Sequence, residues 1–261
     1  MRPINVIITK IIQETPTVKT FFFDVSFKKF KPGQFVMVWI RGIDEIPMTL
    51  SYQNAITVRS VGDATEKLFE LNEGDSLGIR GPFGNGFSIS HNKSKILIIA
   101  GGIGAAPLVR ISELFILKKN DIKITTILGC QNSDELIFMN RFKEQGQVYI
   151  TTDDGSEGTK GFVTDILKRK NLSNYDKIFV CGPEVMMVAV FKILQKKDSI
   201  EKSEFSLHRY FKCGIGVCGA CCMDSKGLMV CKDGPVFQAK DLIDSEFGLY
   251  MRNACGQKQK I

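Results

Sequence analysis

Five of the chain's eight cysteines fall in one short run, CGIGVCGACCMDSKGLMVC, from Cys213 to Cys231. A disulfide framework spreads its cysteines through a small secreted domain. Here Cys130 and Cys181 stand alone and Cys255 lies near the end. A cluster this tight reads as a metal site. Its frame is C-x4-C-x2-C-x9-C on Cys213, Cys218, Cys221 and Cys231, and the first three positions match a [2Fe–2S] spacing. Four thiolates must converge on a compact group, so one loop supplies three and a separate strand over 228–231 supplies the fourth. Gly214, Gly216 and Gly219 let that loop bend. Zinc is the competing metal, but structural zinc usually takes two short Cys pairs. This frame holds one C-x2-C pair and no histidine. Cys222 reads as a small buried thiol, because using it in place of Cys221 spoils the spacing. Cys255 fits no spacing.

The rest of the chain sets the scaffold. A length of 261 residues suggests two compact units with a small third, and 44% hydrophobic content excludes wholesale disorder. The first residues alternate apolar and polar and lack a signal-peptide core. No window offers about 18 uninterrupted apolar residues, so no membrane span is expected and a cytoplasmic location is. The net charge of +7 comes from scattered lysines, with one tryptophan and no aromatic–basic motif. That pattern argues against nucleic acid and favours an anionic nucleotide cofactor.

Residues 1–93 read as short strands at 4–12, 18–25, 34–40, 55–61 and 76–80, the spacing of an antiparallel β-barrel or sandwich. From Lys95 the character changes. The run 95–100 (KILIIA) is a buried parallel strand. Further strands at 122–129, 147–152 and 177–181 alternate with helical patterns at 107–117, 135–144, 161–170 and 184–196. This is a parallel-sheet α/β domain over 94–202. The cysteine-rich remainder, 203–261, fits neither pattern and reads as loops folded round a prosthetic group.

Ligands of open α/β sheets sit at the carboxyl ends of strands. Gly101, Gly102 and Gly104 follow one strand and open a helix, where glycines let the backbone approach a pyrophosphate. Cys181, Gly182 and Pro183 follow another, and 153–156 (DDGS) a third. In the barrel, Pro47, Met48, Thr49 and Ser51 place hydroxyls on an extended segment. Thr65 stands near the start of a short helix. Residues 81–87 form a rigid loop at the domain junction. A hydride carrier moves two electrons and a [2Fe–2S] cluster one, so a flavin is needed between them.

Barrel, GGIGAAP, CGPEVMM and CGIGVCGAC…CKDGPVF, in that order, resemble the electron-transfer subunits of dihydroorotate dehydrogenase B, which are ferredoxin-reductase-like flavoproteins. The resemblance covers essentially the whole chain and is most specific over 213–237. It implies that the barrel binds FAD. The family's Arg-Pro-x-Ser motif falls on 46–49, so Thr49 keeps the hydroxyl near flavin N5 while Ile46 replaces the arginine. Arg59 and Lys67 are the candidate replacement cations. Thr57, Val58 and Arg59 align with the strand touching the isoalloxazine, and Ala64 and Thr65 with a phosphate-binding Gly-Thr. NAD would bind through Gly101–Gly104 and the 181–183 turn, and the four framed cysteines would hold the cluster.

The resemblance further implies a relay. A partner subunit oxidises dihydroorotate at its FMN, electrons pass singly through the cluster to FAD, and NAD+ receives hydride, as a step of pyrimidine biosynthesis. The implied assembly is a heterotetramer of two relay and two catalytic subunits. No acid–base residue is demanded, and His91 and His208 carry no motif. Two rivals remain at this point: a related NAD(P)H-ferredoxin or sulfhydrogenase-type subunit, and a non-catalytic zinc-binding interaction module. No 2′-phosphate clamp follows the strand at 122–129, though Gln131 and Asn132 lie where ribose contacts occur.

Overall fold

The computed structural model describes residues 2–89, 95–118 and 122–261. His91 and the expected boundary at 93/94 lie outside them. Six antiparallel strands, β1 (Ile4–Thr15), β2 (Val18–Phe23), β3 (Phe35–Ile40), β4 (Asp44–Tyr52), β5 (Ala55–Arg59) and β6 (Ser76–Phe83), close into a barrel in the order β1-β2-β5-β4-β3-β6. Helix α1 (Asp63–Phe69) lies between β5 and β6. Alternating residues such as Val6, Ile8, Val36, Val38, Ile56 and Val58 fill the barrel, as the period of two requires. The sequence marks β4 only as an extended segment, because Pro47 interrupts the strand pattern. The register explains the tolerance. β4 pairs with β3 over Asp44–Thr49 and meets β5 only from Leu50 onward, so Pro47 faces an open edge where no donor is required.

The α/β unit follows with β7 (Lys95–Gly101), α2 (Ala105–Lys118), β8 (Lys123–Cys130), α3 (Met139–Lys143), β9 (Gln147–Thr152), β10 (Thr159–Lys160), α4 (Val163–Arg169), β11 (Lys177–Cys181) and α5 (Glu184–Lys196). The helix expected over 135–144 is shorter. A 3-10 turn covers Ser133–Glu135, and Phe138 adopts a left-handed φ of 59° that delays the helix to Met139. Burial of Ile137 and Phe138 against the sheet overrides the local helical preference.

The sheet also runs past residue 202. Strand β12 (Ser203–Ser206) pairs in parallel with β11, and β15 (Val236–Gln238) pairs antiparallel with β12. The seven-stranded order is β10-β9-β8-β7-β11-β12-β15. The 203–206 stretch carries Glu204, which disguises a strand buried on both faces. Its carboxylate is matched by Lys177, Gln238 and Ser88. Between β12 and β15 lie the cysteine loop and a two-residue hairpin, β13 (Cys222–Met223) with β14 (Leu228–Met229). The expected strand over 228–231 therefore ends at Met229, and Cys231 sits in the turn beyond it. A final hairpin joins β16 (Tyr250–Arg252) to β17 (Lys258–Lys260). Among the described residues no helix is long and apolar enough to cross a membrane.

Candidate cluster and nucleotide sites

Glycine dictates the cysteine loop. Gly214, Gly216 and Gly219 have φ of 73°, 75° and 75°, the left-handed region that side chains avoid. The turns aim backbone donors at sulfur. The Cys213 Sγ accepts from the N–H of Val217 at 3.3 Å, and the Cys231 Sγ from that of Gly216 at 3.1 Å. The Cys231 N–H reaches the Cys221 Sγ at 3.4 Å. Burial alone would push the Cys213 thiol up. The N–H groups of Cys218, Ile215 and Val217 outweigh it and bring the thiol down to about 6. Burial and the neighbouring Cys221 sulfur push Cys231 the other way.

Cys213 and Cys218 interact side chain to side chain, as do Cys221 and Cys231, and Cys231 also feels the Cys213 sulfur. Among the described residues no three His, Cys, Asp or Glu side chains converge on one ion position. Backbone N–H groups aimed at the Cys213, Cys221 and Cys231 sulfurs fit an iron–sulfur cluster, whose thiolates accept such bonds. Cys222 is half-buried outside the pairs and Cys255 is exposed.

This loop sits directly on the barrel. Gly214 packs so closely on β3 that a Cβ there would meet the Met37 Cγ at 2.9 Å. Arg80 of β6 donates to the Cys213 carbonyl at 3.3 Å. Phe211, two residues ahead of the first ligand, packs on Phe35 with ring centroids 4.8 Å apart.

The second site is a cleft of about 430 Å³ between the barrel and the carboxyl ends of β7, β8, β9 and β11. Of the expected residues, Arg59, Gly101, Gly102, Gln131, Asp153 and Pro183 line it. Gly104 and the 181–182 turn are brought together behind it. A Cβ on Gly104 would lie 2.5 Å from the Cys181 carbonyl oxygen, and one on Gly101 or Gly182 would strike Met186. These glycines let two strand ends close on one another. Burial pushes the Cys181 thiol up to about 12, so it is a neutral packing group near neutral pH.

On the barrel side, Ser51 and Thr57 share a buried hydroxyl chain with Thr20, at 2.7 and 2.8 Å. Thr49 and Pro47 stand half-buried on the open edge of β4. Ile46 and Met48 pack against the barrel core, and Val58 lies within it. Ala64 also packs on that core. Thr65 is buried, and its hydroxyl accepts from the N–H of Val61 and Gly62 at 2.8 and 3.1 Å. That hydroxyl is thus engaged in capping α1. Lys67 is exposed and pairs with Glu70. Arg59 crosses to the α/β unit and pairs with Glu135 at 2.7 Å. Its buried Nε has no partner, so this guanidinium retains a donor for a ligand.

The sequence reading missed several cleft residues. Phe162 and Val185 stand 60% and 63% exposed at its rim, which is costly for apolar groups without a ligand to cover them. Glu135 puts a carboxylate in the lining beside that of the expected Asp153. An acidic residue beside a dinucleotide ribose suits a free 2′-hydroxyl and opposes a 2′-phosphate. Exposed Phe162, ahead of a helix, was the legible signal. Arg141 also went unnoticed. It donates to the Ser51 carbonyl, stacks on Tyr52 at 3.9 Å and pairs with Glu113, fastening barrel to α/β unit.

Comparison with known proteins agrees with this geometry. Residues 208–243 match the iron-sulfur cluster binding domain of dihydroorotate dehydrogenase B, and 98–192 match the oxidoreductase NAD-binding domain. A Methanocella arvoryzae protein named "Probable dihydroorotate dehydrogenase B (NAD(+)), electron transfer subunit" is 52% identical over all of both chains. A Methanocaldococcus jannaschii protein of the same name is 47% identical over 98% of each. Among solved structures, an NADH-dependent reduced ferredoxin-NADP oxidoreductase superposes with a TM-score of 0.80 at 29% identity, over 90% of this chain and 88% of that one. The FAD/NAD-binding domain of a Vibrio cholerae nitric oxide dioxygenase shares the fold, with a TM-score of 0.69 at 19% identity over 80% of this chain and 99% of that one. The zinc-module alternative falls with the iron-sulfur match. The relatives at 52% and 47% identity over nearly the whole chain carry the dihydroorotate dehydrogenase B reading over the ferredoxin-linked alternative.

Proposed function

The chain belongs to the electron transfer subunits of dihydroorotate dehydrogenase B, and from that premise we propose how its residues divide the relay to NAD+. The carrying observation is the seating of the cysteine loop on the barrel through Arg80–Cys213 and Met37–Gly214. It supports a one-electron site lying against the wall of the flavin site. A [2Fe–2S] cluster supplies single-electron transfer, and a flavin couples it to the two-electron chemistry of a nicotinamide.

Cys213, Cys218, Cys221 and Cys231 would hold the cluster. Gly216 and Val217 N–H groups steady the sulfurs. On the barrel, Pro47, Met48 and Thr49 would form the flavin wall, backed by the buried Ser51, Thr57 and Val58, with the backbone at Ala64 and Thr65 at the phosphate end. Arg59 supplies the cation that Ile46 does not. Gly101, Gly102 and Gly104, with Cys181, Gly182 and Pro183, shape the floor for NAD. Phe162 offers an apolar rim and Asp153 a carboxylate partner for ribose. The proposed division is FAD barrel 1–93, NAD unit 94–202 and cluster module 203–261, the last sharing β12 and β15 with the sheet.

An electron transfer subunit requires a catalytic partner. We assign that role to an FMN-binding dihydroorotate dehydrogenase subunit in a two-plus-two assembly in the cytoplasm. Beside the cluster loop lie exposed Ile215 and Val217, and beyond Arg80 a hollow lined by Pro3, Trp39 and Ile43. Exposed Lys212 and Lys232 flank the cysteines, so the partner face would be apolar and acidic.

The test is anaerobic purification of the chain with its partner. Flavin and cluster absorption bands with dihydroorotate:NAD+ activity are expected. A colourless chain, or one without such activity beside a competent partner, refutes the reading.

A further inference from the structure

Arg209 is 2% exposed and is the largest fully buried side chain among the described residues. The relay described above does not use it. It lies on the strap from 207 to 212 that connects β12 to the first cluster cysteine. A buried guanidinium demands charged partners, and here they come from two distant segments. Its Nη1 and Nη2 grip both oxygens of Glu184, at 2.6 and 3.0 Å. Its Nε donates to Glu246 at 3.0 Å.

Each carboxylate has a further task. Glu184 opens α5, immediately after the Cys181–Pro183 turn of the nicotinamide cleft, and also accepts the Gly248 N–H at 2.9 Å. Glu246 accepts the Asp224 N–H at 2.9 Å, two residues beyond Cys222, and pairs with Arg252 at 3.1 Å. The fork therefore ties three places together: the cleft turn, the strap and the back of the cluster module. A lysine could satisfy only part of this geometry. Beyond the fork, Phe211 packs into the barrel on Phe35.

We infer that Arg209 is a positioning residue that sets how the cluster module is mounted relative to the flavin and nicotinamide sites. Its hydrogen bonds go to Glu184, Glu246 and the His208 carbonyl, none of them a cofactor-binding residue named above. Its loss should leave each half-site intact while loosening their mutual placement. The inference rests on the relay reading for its kinetic consequence but not for its structural one.

The test compares wild type, Arg209→Lys and Arg209→Met as whole chains with their cofactors. Hydrogen exchange should rise at least about tenfold at the Asp224 and Gly248 amides together in Arg209→Met, with the β7 amides still protected. Reduction of flavin by NADH should stay within about twofold of wild type. Onward reduction of the cluster should slow about tenfold, with a broadened electron-spin signal from the reduced cluster. Arg209→Lys should fall between, and it carries the test if Arg209→Met does not fold. Unchanged exchange at both amides, or unchanged cluster reduction in a variant whose amides do exchange, overturns the inference. A wild-type chain that binds neither flavin nor cluster would instead refute the relay, and the exchange arm would still decide the clamp.

Discussion

Arg80 spans the barrel and the cluster loop, donating to the Cys213 carbonyl at 3.3 Å while gripping both oxygens of Glu45 at 2.6 Å. The pair holds the guanidinium rigid, and its hydrogen bond with Glu45 raises the Arg80 pKa further. A charge-assisted bidentate contact fixes direction as well as distance.

Arg80→Met should therefore loosen the first cluster cysteine. The expected stability loss is about 1.5–3 kcal/mol, the range for hydrogen bonds to charged groups. Iron removal by a chelator should accelerate several-fold. Denaturant titration and the chelation rate check both, and an unchanged chelation rate would show the strut to be dispensable.

Glycines in the nucleotide turns should divide by space. Gly104→Ala sets a methyl 2.5 Å from the Cys181 carbonyl oxygen, against backbone that cannot yield cheaply. A cost of at least about 1–3 kcal/mol is expected from overpacking. NADH affinity should fall as the two strand ends part. Gly62→Ala is the control, since its φ of 169° is ordinary extended backbone and nothing lies within 4 Å. It should stay within about 0.5 kcal/mol of wild type. Calorimetric NADH binding and thermal melting separate the two.

Cys218→Ser should bleach the cluster, because it removes one of its four proposed thiolate ligands. Reduction of an artificial acceptor by NADH through the flavin should survive. Cys222→Ser, outside the pairs, should keep its cluster bands. Loss of both activities with flavin still bound would contradict the order of the relay.

What the sequence conceals here follows from physics. Lys95–Gly101 and Lys177–Cys181 were legible because strands buried on both faces are continuous apolar runs. The cysteine frame was legible because ligand spacing is local. Ser203–Ser206 was not, since a fully buried Glu204 looks like a solvent residue until Lys177 and Gln238 are placed beside it. Arg209 and Arg141 were equally opaque. Their partners lie 25 to 90 residues away, and nothing in a one-dimensional pattern distinguishes a buried arginine from a surface one.

Acid should release the C-terminal hairpin through Asp224. The Tyr250 hydroxyl, Arg252 and Lys258 all donate to this carboxylate and hold it down to about 2. An unfolded aspartate titrates near about 3.9. Because the folded value is the lower, the stabilisation is present above about pH 4 and is lost as pH falls through about 2. Asp224→Asn removes the charge while keeping the shape. The urea stability of wild type should exceed that of the variant at pH 5, and the gap should close towards pH 2. The carboxylate is exposed and solvent screens it, so the gap should also shrink in high salt. A gap that persists unchanged at pH 2 would show that packing of β16 on β17, rather than this charge, holds the hairpin.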